Sequence, residues 1–239
     1  MPRTTEEPPS PIARAAPARA PRITCVGVGL ADPGARATLQ AWLEVAPALA
    51  RRTGSRQTRT RLADARRIGR ELARVLDGLE PGEGRAADRT LHLAVALGRV
   101  HAVSSMFACP GGTFVELLVT APWNLLGAAD PPDARTVRGA GKALVAAAAA
   151  WSRARGCGGA VALQAGNPRC AEIYDHLGFR ELRPEDDPLA LVPQGARGWS
   201  PEILRVAAGR PGPAERRRPW LVLPGARADA LAAPLRAAG

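Results

Sequence analysis

Residues 137–145 read Val137-Arg138-Gly139-Ala140-Gly141-Lys142-Ala143-Leu144-Val145, and an alanine-rich run carries on from there to about Arg155. Glycines at 139 and 141 let a backbone turn sharply and come close to a ligand. Strong helix formers follow them, so the spacing predicts a helix that opens inside this run. A helix start leaves N–H groups without internal partners and carries the positive end of the helix dipole. Those groups suit a pyrophosphate, and Arg138 and Lys142 add positive charge beside them. The run is not a Walker A loop: Gly141-Lys142 is followed by Ala143-Leu144, and no second glycine stands at the required distance before it. An ordinary glycine-containing helix start has the same local pattern, so the run needs a second landmark.

That landmark follows at once. Residues 159–165, Gly-Ala-Val-Ala-Leu-Gln-Ala, form a buried-strand pattern after a glycine-rich turn. Then comes Asn167-Pro168-Arg169-Cys170-Ala171-Glu172-Ile173-Tyr174-Asp175-His176-Leu177-Gly178-Phe179. Gly178 fits the left-handed position that ends a helix, and Phe179 opens the next strand. Arg138-x-x-Gly141-x-Ala143, and then Asn167-x-x-x-Ala171-x-x-Tyr174-x-x-x-Gly178-Phe179, resemble in order and spacing two signature blocks of the GNAT N-acetyltransferases. The resemblance covers residues of roughly 110–182.

It implies an α/β (α+β) GNAT fold, with a central mixed, mostly antiparallel sheet splayed around an acyl-CoA site and flanked by helices. Strands 113–120 and 159–165 are expected to part, so that the pantetheine arm of acetyl-CoA enters the gap. The backbone of Leu118, Val119 and Thr120 is then expected to meet pantetheine and the thioester carbonyl, where an N–H stabilises the tetrahedral oxyanion. Val137, Arg138, Gly139, Ala140, Gly141, Lys142 and Ala143 would cradle the pyrophosphate, and Asn167 would contact the CoA arm. Tyr174 would be the general acid that protonates the departing sulfur. A tyrosine near pKa 10 giving its proton to a thiolate near 8.5 works uphill by about 2 kcal/mol, which catalysis tolerates. At its spacing Tyr174 also reads as a packed residue of an amphipathic helix.

An amine near pKa 10.4 must lose a proton before it attacks, at a cost of about 4 to 5 kcal/mol at pH 7. Glu116 interrupts an otherwise apolar strand near the reaction centre and is the candidate base. Alternation along a half-exposed strand explains a lone glutamate equally well. His101 and His176 are weaker candidates. The implied activity is transfer of acetyl from acetyl-CoA, as co-substrate, to a primary amine by direct attack in a ternary complex. The acceptor and the acyl preference stay open. The alternative is a catalytically inactive GNAT-fold module that binds CoA or a protein partner.

Working outward, residues 1–22 are Pro- and Ala-rich without periodicity and read as a disordered leader. A single domain is expected over 23–224, with a tail over 225–239. A strand is expected at 23–28. The spacing of Gly27, Gly29 and Gly34 fails as a dinucleotide loop, because the third small residue falls at Asp32. Helices are expected over 36–52, bent by Pro47, and over 62–79. A turn-forming loop fills 81–89, and a hairpin follows from 91–97 and 100–108 with its turn at Gly98-Arg99. Residues 121–135 stand between the strand and the phosphate loop, where relatives have only a few residues. This insertion is expected at the mouth of the cofactor site, with Trp123 either stacking on the acceptor or plugging the core. The last strand is placed at 220–224, with 189–192 as its competitor, and a short helix at 201–208.

Composition narrows the partners. The 239-residue chain carries a formal charge of +11, yet Lys142 is its one lysine, which points to an arginine-rich coding bias and not to a selected basic surface. Nine arginines lie between Arg51 and Arg74 against Asp64 and Glu71, and the wet face of an amphipathic helix accounts for them. A nucleic-acid partner is therefore not expected, and a homodimer is compatible with the reading. The four cysteines form no CxxC pair or metal spacing, so no metal site is expected. No apolar run spans a bilayer and no secretory segment stands at the N-terminus, so the expected location is cytoplasmic.

Overall fold

The computed structural model describes residues 21–78, 89–194 and 198–236. The expected leader up to residue 20, the 81–88 part of the expected loop and the last three residues of the tail lie outside the described residues. Arg89, assigned to that loop, opens a strand instead.

The first strand, β1 (Thr24–Val28), leads to two capped helices. Helix α1 (Pro33–Arg52) begins where the Asp32 side chain accepts from the Ala35 N–H at 2.7 Å, with Pro33 preset for the first turn. It runs through Pro47 without interruption. Helix α2 (Arg56–Leu76) starts six residues before the expected 62, because Ser55 accepts from the Thr58 N–H and caps it there.

The strands β2 (Arg89–Ala96), β3 (Arg99–Cys109) and β4 (Gly112–Thr120) form a meander. The β2–β3 turn falls at Leu97-Gly98, not Gly98-Arg99, and both of its residues have positive φ (51° and 69°), the geometry that matches strand twist. Helix α3 (Ala140–Ala154) then crosses to β5 (Val161–Gln164), and α4 (Pro168–His176) follows. The chain continues through β6 (Arg180–Glu181), α5 (Pro188–Leu191), α6 (Pro201–Ala207), α7 (Pro213–Arg217), β7 (Trp220–Leu223) and α8 (Gly225–Arg236).

These strands make one seven-stranded sheet in the order β1-β2-β3-β4-β5-β7-β6. Among the described strands β4 and β5 are parallel and every other neighbouring pair is antiparallel. The expected fold class, a mixed and mostly antiparallel sheet between helices, is what the chain adopts. Helices α3 and α8 cover one face, packing alanines and Leu144 against Met106, Val115, Val161 and Leu163. Helices α1 and α2 cover the other, where Leu39, Leu62 and Leu72 meet Leu91, Val103 and Val119. Each of those leucines is at most 1% exposed, a contribution of about 1.5–3 kcal/mol apiece. A smaller cluster under α5 and α6 joins Phe107 and Phe114 to Leu191 and Ile203.

Two assignments at the C-terminus change. The competitor strand at 189–192 is largely helix α5: Asp187 turns the chain with φ 53° and Pro188 begins the helix. The expected tail is not outside the domain, because α8 buries Ala228 and Leu231 in the main core beside α3. No helix among the described residues is long and apolar enough to cross a membrane.

Candidate active site

The sheet opens at its middle. β4 pairs with β5 at Thr113↔Val161, Phe114↔Ala162 and Val115↔Leu163, and there the pairing stops. From Glu116 to Thr120, β4 has β3 on one side and no strand on the other among the described residues. This is the parting expected between 113–120 and 159–165. It leaves a row of backbone donors and acceptors facing a gap, which an extended ligand with amide groups can satisfy. Within that row, Leu118 leans toward α3 and Val119 packs toward α1 and α2.

Helix α3 starts beside the gap. A Cβ on Gly141 would meet Thr120 Cγ2 at 3.4 Å and Leu118 Cδ2 at 3.6 Å, so the first turn of the helix abuts the free edge of β4. Gly139 caps the helix with φ 90°, a conformation that a residue with a side chain rarely holds. Its carbonyl takes the Ala143 N–H at 2.9 Å. The preceding N–H groups, those of Ala140, Gly141 and Lys142, lie in the turn where no intrahelical acceptor exists.

Other members of the expected cradle are engaged elsewhere. The Val137 N–H donates to Asn124 Oδ1 at 2.9 Å and is not available to a phosphate. Ala140 and Ala143 put their methyls into the core. Arg138, expected as mobile charge, donates to the carbonyls of Asn124 and Leu126, both at 2.9 Å. It pins the insertion to the start of α3.

That insertion does not shape the main cavity. Asp130, 7% exposed, accepts from the hydroxyl of Thr53, from the Thr58 hydroxyl at 2.6 Å and from the Gly127 N–H at 2.7 Å. The two hydroxyls, then the Gly127 N–H, hold its carboxyl below the ordinary carboxylate pKa. The loop is thereby tied to the junction of α1 and α2. Trp123 is a plug, 8% exposed, edge-on to Trp42 and His101 and covered by the Arg135 guanidinium at 4.4 Å. His101 is buried against the Ala96 carbonyl, and His176 is exposed and bonded to the Glu172 carbonyl. Neither reaches the gap.

Positive charge gathers where α2 meets the starts of α3 and α4. Arg61 on α2 lies near Arg138 and Arg169, and burial followed by these two neighbours lowers its pKa, with Asp130 opposing. With its amide turned, Gln57 accepts from Arg169 at 2.9 and 3.1 Å. A helical spacing on α2 and the place after Asn167-Pro168 were the available signals for Arg61 and Arg169.

Across the gap stands α4. Asn167 caps it, accepting from the Cys170 N–H at 2.9 Å, and its amide donates to Asp64 Oδ2 at 3.2 Å. Its side chain thus orients α4 against α2, where a direct contact to the CoA arm was expected. The helix ends in a Schellman arrangement: Phe179 N–H bonds the Tyr174 carbonyl and Gly178 N–H the Asp175 carbonyl, with Gly178 at φ 92°. The Tyr174 ring then sits 5.3 Å from Phe179, edge to face. Burial, and secondarily Cys170, raise the Tyr174 pKa above its usual 10, so the phenol keeps its proton at neutral pH. Burial first, and then Asp64, also raise the Cys170 thiol.

Glu116 owes its position to a bulge. Ser105 faces Leu117 and Met106 faces Val115, which leaves Glu116 as an extra residue in β4. Its carboxylate meets Arg89 at 2.7 Å and takes the Ser105 hydroxyl at 2.7 Å. Arg89 in turn lies 4.7 Å over the Phe107 ring. The bulge, Arg89 and Ser105 have no one-dimensional signal that would have revealed them.

Glu116, Leu118, Leu163, Asn167, Cys170 and Tyr174 line one cavity of about 1110 Å³, which continues toward α6. No group of three His, Cys, Asp or Glu side chains suited to a metal comes together among the described residues. No protein-family model matches the chain, and no curated protein does. Among solved structures, it is similar to an aminoglycoside 6'-acetyltransferase type Ii at a TM-score of 0.42 and 14% identity, over 84% of this chain and 97% of that one. A likeness of that size says nothing about the substrate of this chain.

Proposed function

We propose that the chain is an acyltransferase moving an acetyl group from acetyl-CoA to a primary amine by direct attack in a ternary complex. One observation carries this reading: the free edge of β4 at Glu116–Leu118 and Tyr174 line a single cavity, and the first turn of α3 abuts that same edge at Leu118 and Thr120. A cavity of about 1110 Å³ exceeds the range of roughly 300–1,000 Å³ usual for one small ligand. It has room for a thioester arm and an acceptor together.

Acetyl-CoA supplies the activated acyl group. The edge of β4 from Leu118 to Thr120 binds the amide-bearing arm, and an N–H there faces the carbonyl oxygen as charge develops. The N–H groups of Ala140, Gly141 and Lys142 hold the pyrophosphate, helped by the Lys142 ammonium and by Arg61 and Arg169. Tyr174 gives its proton to the sulfur as the C–S bond breaks and the amide C–N bond forms, and the second proton that the nitrogen loses on becoming an amide restores the phenol. Burial keeps the phenol protonated at neutral pH, so the proton is present when the sulfur departs, and the same burial makes it a weaker acid. Glu116 receives the proton of the incoming ammonium through water, and Arg89 keeps the carboxylate in place for it. Asn167 acts by fixing α4, and therefore Tyr174, against α2.

The test joins binding to turnover. Calorimetry should give micromolar acetyl-CoA binding in both the parent and Tyr174→Phe. Release of CoA in the presence of amines should fall sharply in the variant. A folded parent that does not bind acetyl-CoA rules the function out. Binding without turnover of any amine leaves the non-catalytic module.

A further inference from the structure

The half of the cavity beyond Glu116 is built from aromatic surface. The chain has five tryptophans, three phenylalanines and one tyrosine. Trp199, Trp220, Phe107, Phe114 and Tyr174 all line this single cavity, although aromatics make up just 4% of the sequence. Phe114 and Trp220 form a tilted pair with centroids 5.9 Å apart. Arg89, lying on the Phe107 ring, joins this wall to the Glu116 carboxylate. A ligand group placed beside Glu116 therefore has an apolar, aromatic wall next to it.

The charges of the cavity point the same way. Among the described residues its carboxylates are Glu71, Glu116 and Glu202. Two of them already have a close arginine, Arg67 at 2.8 Å from Glu71 and Arg89 at 2.7 Å from Glu116, while the Glu202 side chain is half-exposed and lies 3.9 Å from Arg205, which is itself bonded to Glu215. Arg67 and Arg218 also face the cavity. A polycation needs several uncompensated carboxylates, and binding one here would break pairs already made. A single amine on an aromatic body needs one polar contact and gains from face or edge packing against the rings.

We infer that the acceptor is an arylalkylamine: one primary amine, held near Glu116, on a ring that packs against the cavity face of the aromatic wall, where the half-buried Trp199 and Trp220 offer the most surface. This inference rests on the acyltransferase reading, and its test separates the two. The full chain is first titrated with acetyl-CoA by calorimetry. It is then saturated with CoA and titrated with phenethylamine or spermidine while tryptophan fluorescence is followed. CoA release from acetyl-CoA is measured with the same two amines. Phenethylamine should quench the fluorescence, and its kcat/KM should exceed that of spermidine by about tenfold or more, the range that one well-fitted apolar group supplies. Trp199→Ala should raise the KM for phenethylamine several-fold and leave acetyl-CoA affinity at the parent value. Trp220→Ala should do the same, and Trp199→Ala stands alone if loss of a strand residue unfolds the other variant.

Equal or better turnover of spermidine overturns the arylalkylamine assignment. So does a parent-like KM in Trp199→Ala, or acetyl-CoA binding with neither quenching nor turnover by phenethylamine. A parent that fails to bind acetyl-CoA overturns the acyltransferase reading itself.

Discussion

Arg89 and Glu116 lie 27 positions apart in the chain, and their side chains meet at 2.7 Å where Glu116 lines the cavity. The arginine side chain is 9% exposed and the glutamate 23%, so the pair is sheltered but the carboxylate still reaches the open space. A buried pair of this kind is a weak argument for stability, because desolvation offsets much of the attraction. Its value here is orientation. Glu116→Gln should lower kcat/KM by about 10²-fold, the lower end for loss of a positioned proton acceptor, with acetyl-CoA affinity unchanged. Steady-state kinetics and calorimetry check this. A change below threefold would make Glu116 an anchor for Arg89 and nothing more.

Gly141 separates the fold from the cofactor. A methyl group there would sit at ordinary distances from Thr120 and Leu118, 3.4 and 3.6 Å, so Gly141→Ala should fold and bind acetyl-CoA with little loss. Gly141→Asp places a carboxylate in the first helical turn, where the dipole favours it by about 0.3–1 kcal/mol. The variant should therefore melt at or above the parent temperature while its acetyl-CoA affinity falls at least about tenfold, since like charges now meet at the proposed cradle. Thermal melting and calorimetry on the same samples decide it. A variant that binds as the parent does would remove the pyrophosphate from this turn.

The parts legible in the sequence are those set by local rules. Helix α3, its glycine start, the strand at 161–164 and the Gly178 terminus all follow from residue types at short spacing, and all form within a few residues of the expected positions. The parting of β4 from β5 was expected from the resemblance and not from any periodicity. What escaped notice depends on pairing across long separations. The bulge at Glu116 exists because β3 and β4 slip by one residue, and Arg89 reaches it from a strand that looked like a loop. The arginine-rich stretch of α2 looked like a solvated face, yet Arg61 and the neighbouring Gln57 turn toward α3 and α4. The insertion at 121–135 was read from its place in the chain, whereas Asp130 ties it to Thr53 and Thr58, more than 70 positions earlier.

That anchor gives a pH-dependent stability with a definite sign. The Thr53 and Thr58 hydroxyls and the Gly127 N–H bond the ionised form of Asp130 and lower its folded-state pKa below the ordinary value near 3.8. A group depressed on folding contributes stability above its unfolded pKa and loses it as pH falls through the folded one. Asp130→Asn should therefore melt below the parent at pH 7, and the gap should narrow as pH falls below about 4. Melting curves across pH 3–7 check this. A gap that stays constant would assign the loss to shape and not to charge.

The arginines between α2 and the starts of α3 and α4 make the last prediction. Arg61, Arg138 and Arg169 repel one another in the free protein, and Arg138 is held there by two loop carbonyls. Their partners are neutral oxygens apart from Asp130 near Arg61, which offsets only part of the repulsion, so the cluster favours an anion that bridges its members. Arg169→Ala should leave the melting temperature unchanged or slightly higher, because it relieves Arg61. It should weaken acetyl-CoA by about tenfold, the loss of one charge-assisted hydrogen bond. Raising salt should weaken the parent more than the variant, since the missing contact is the screened one. Equal affinity and equal salt dependence in the two proteins would take the phosphates off this cluster and leave them to Lys142 and the backbone of α3.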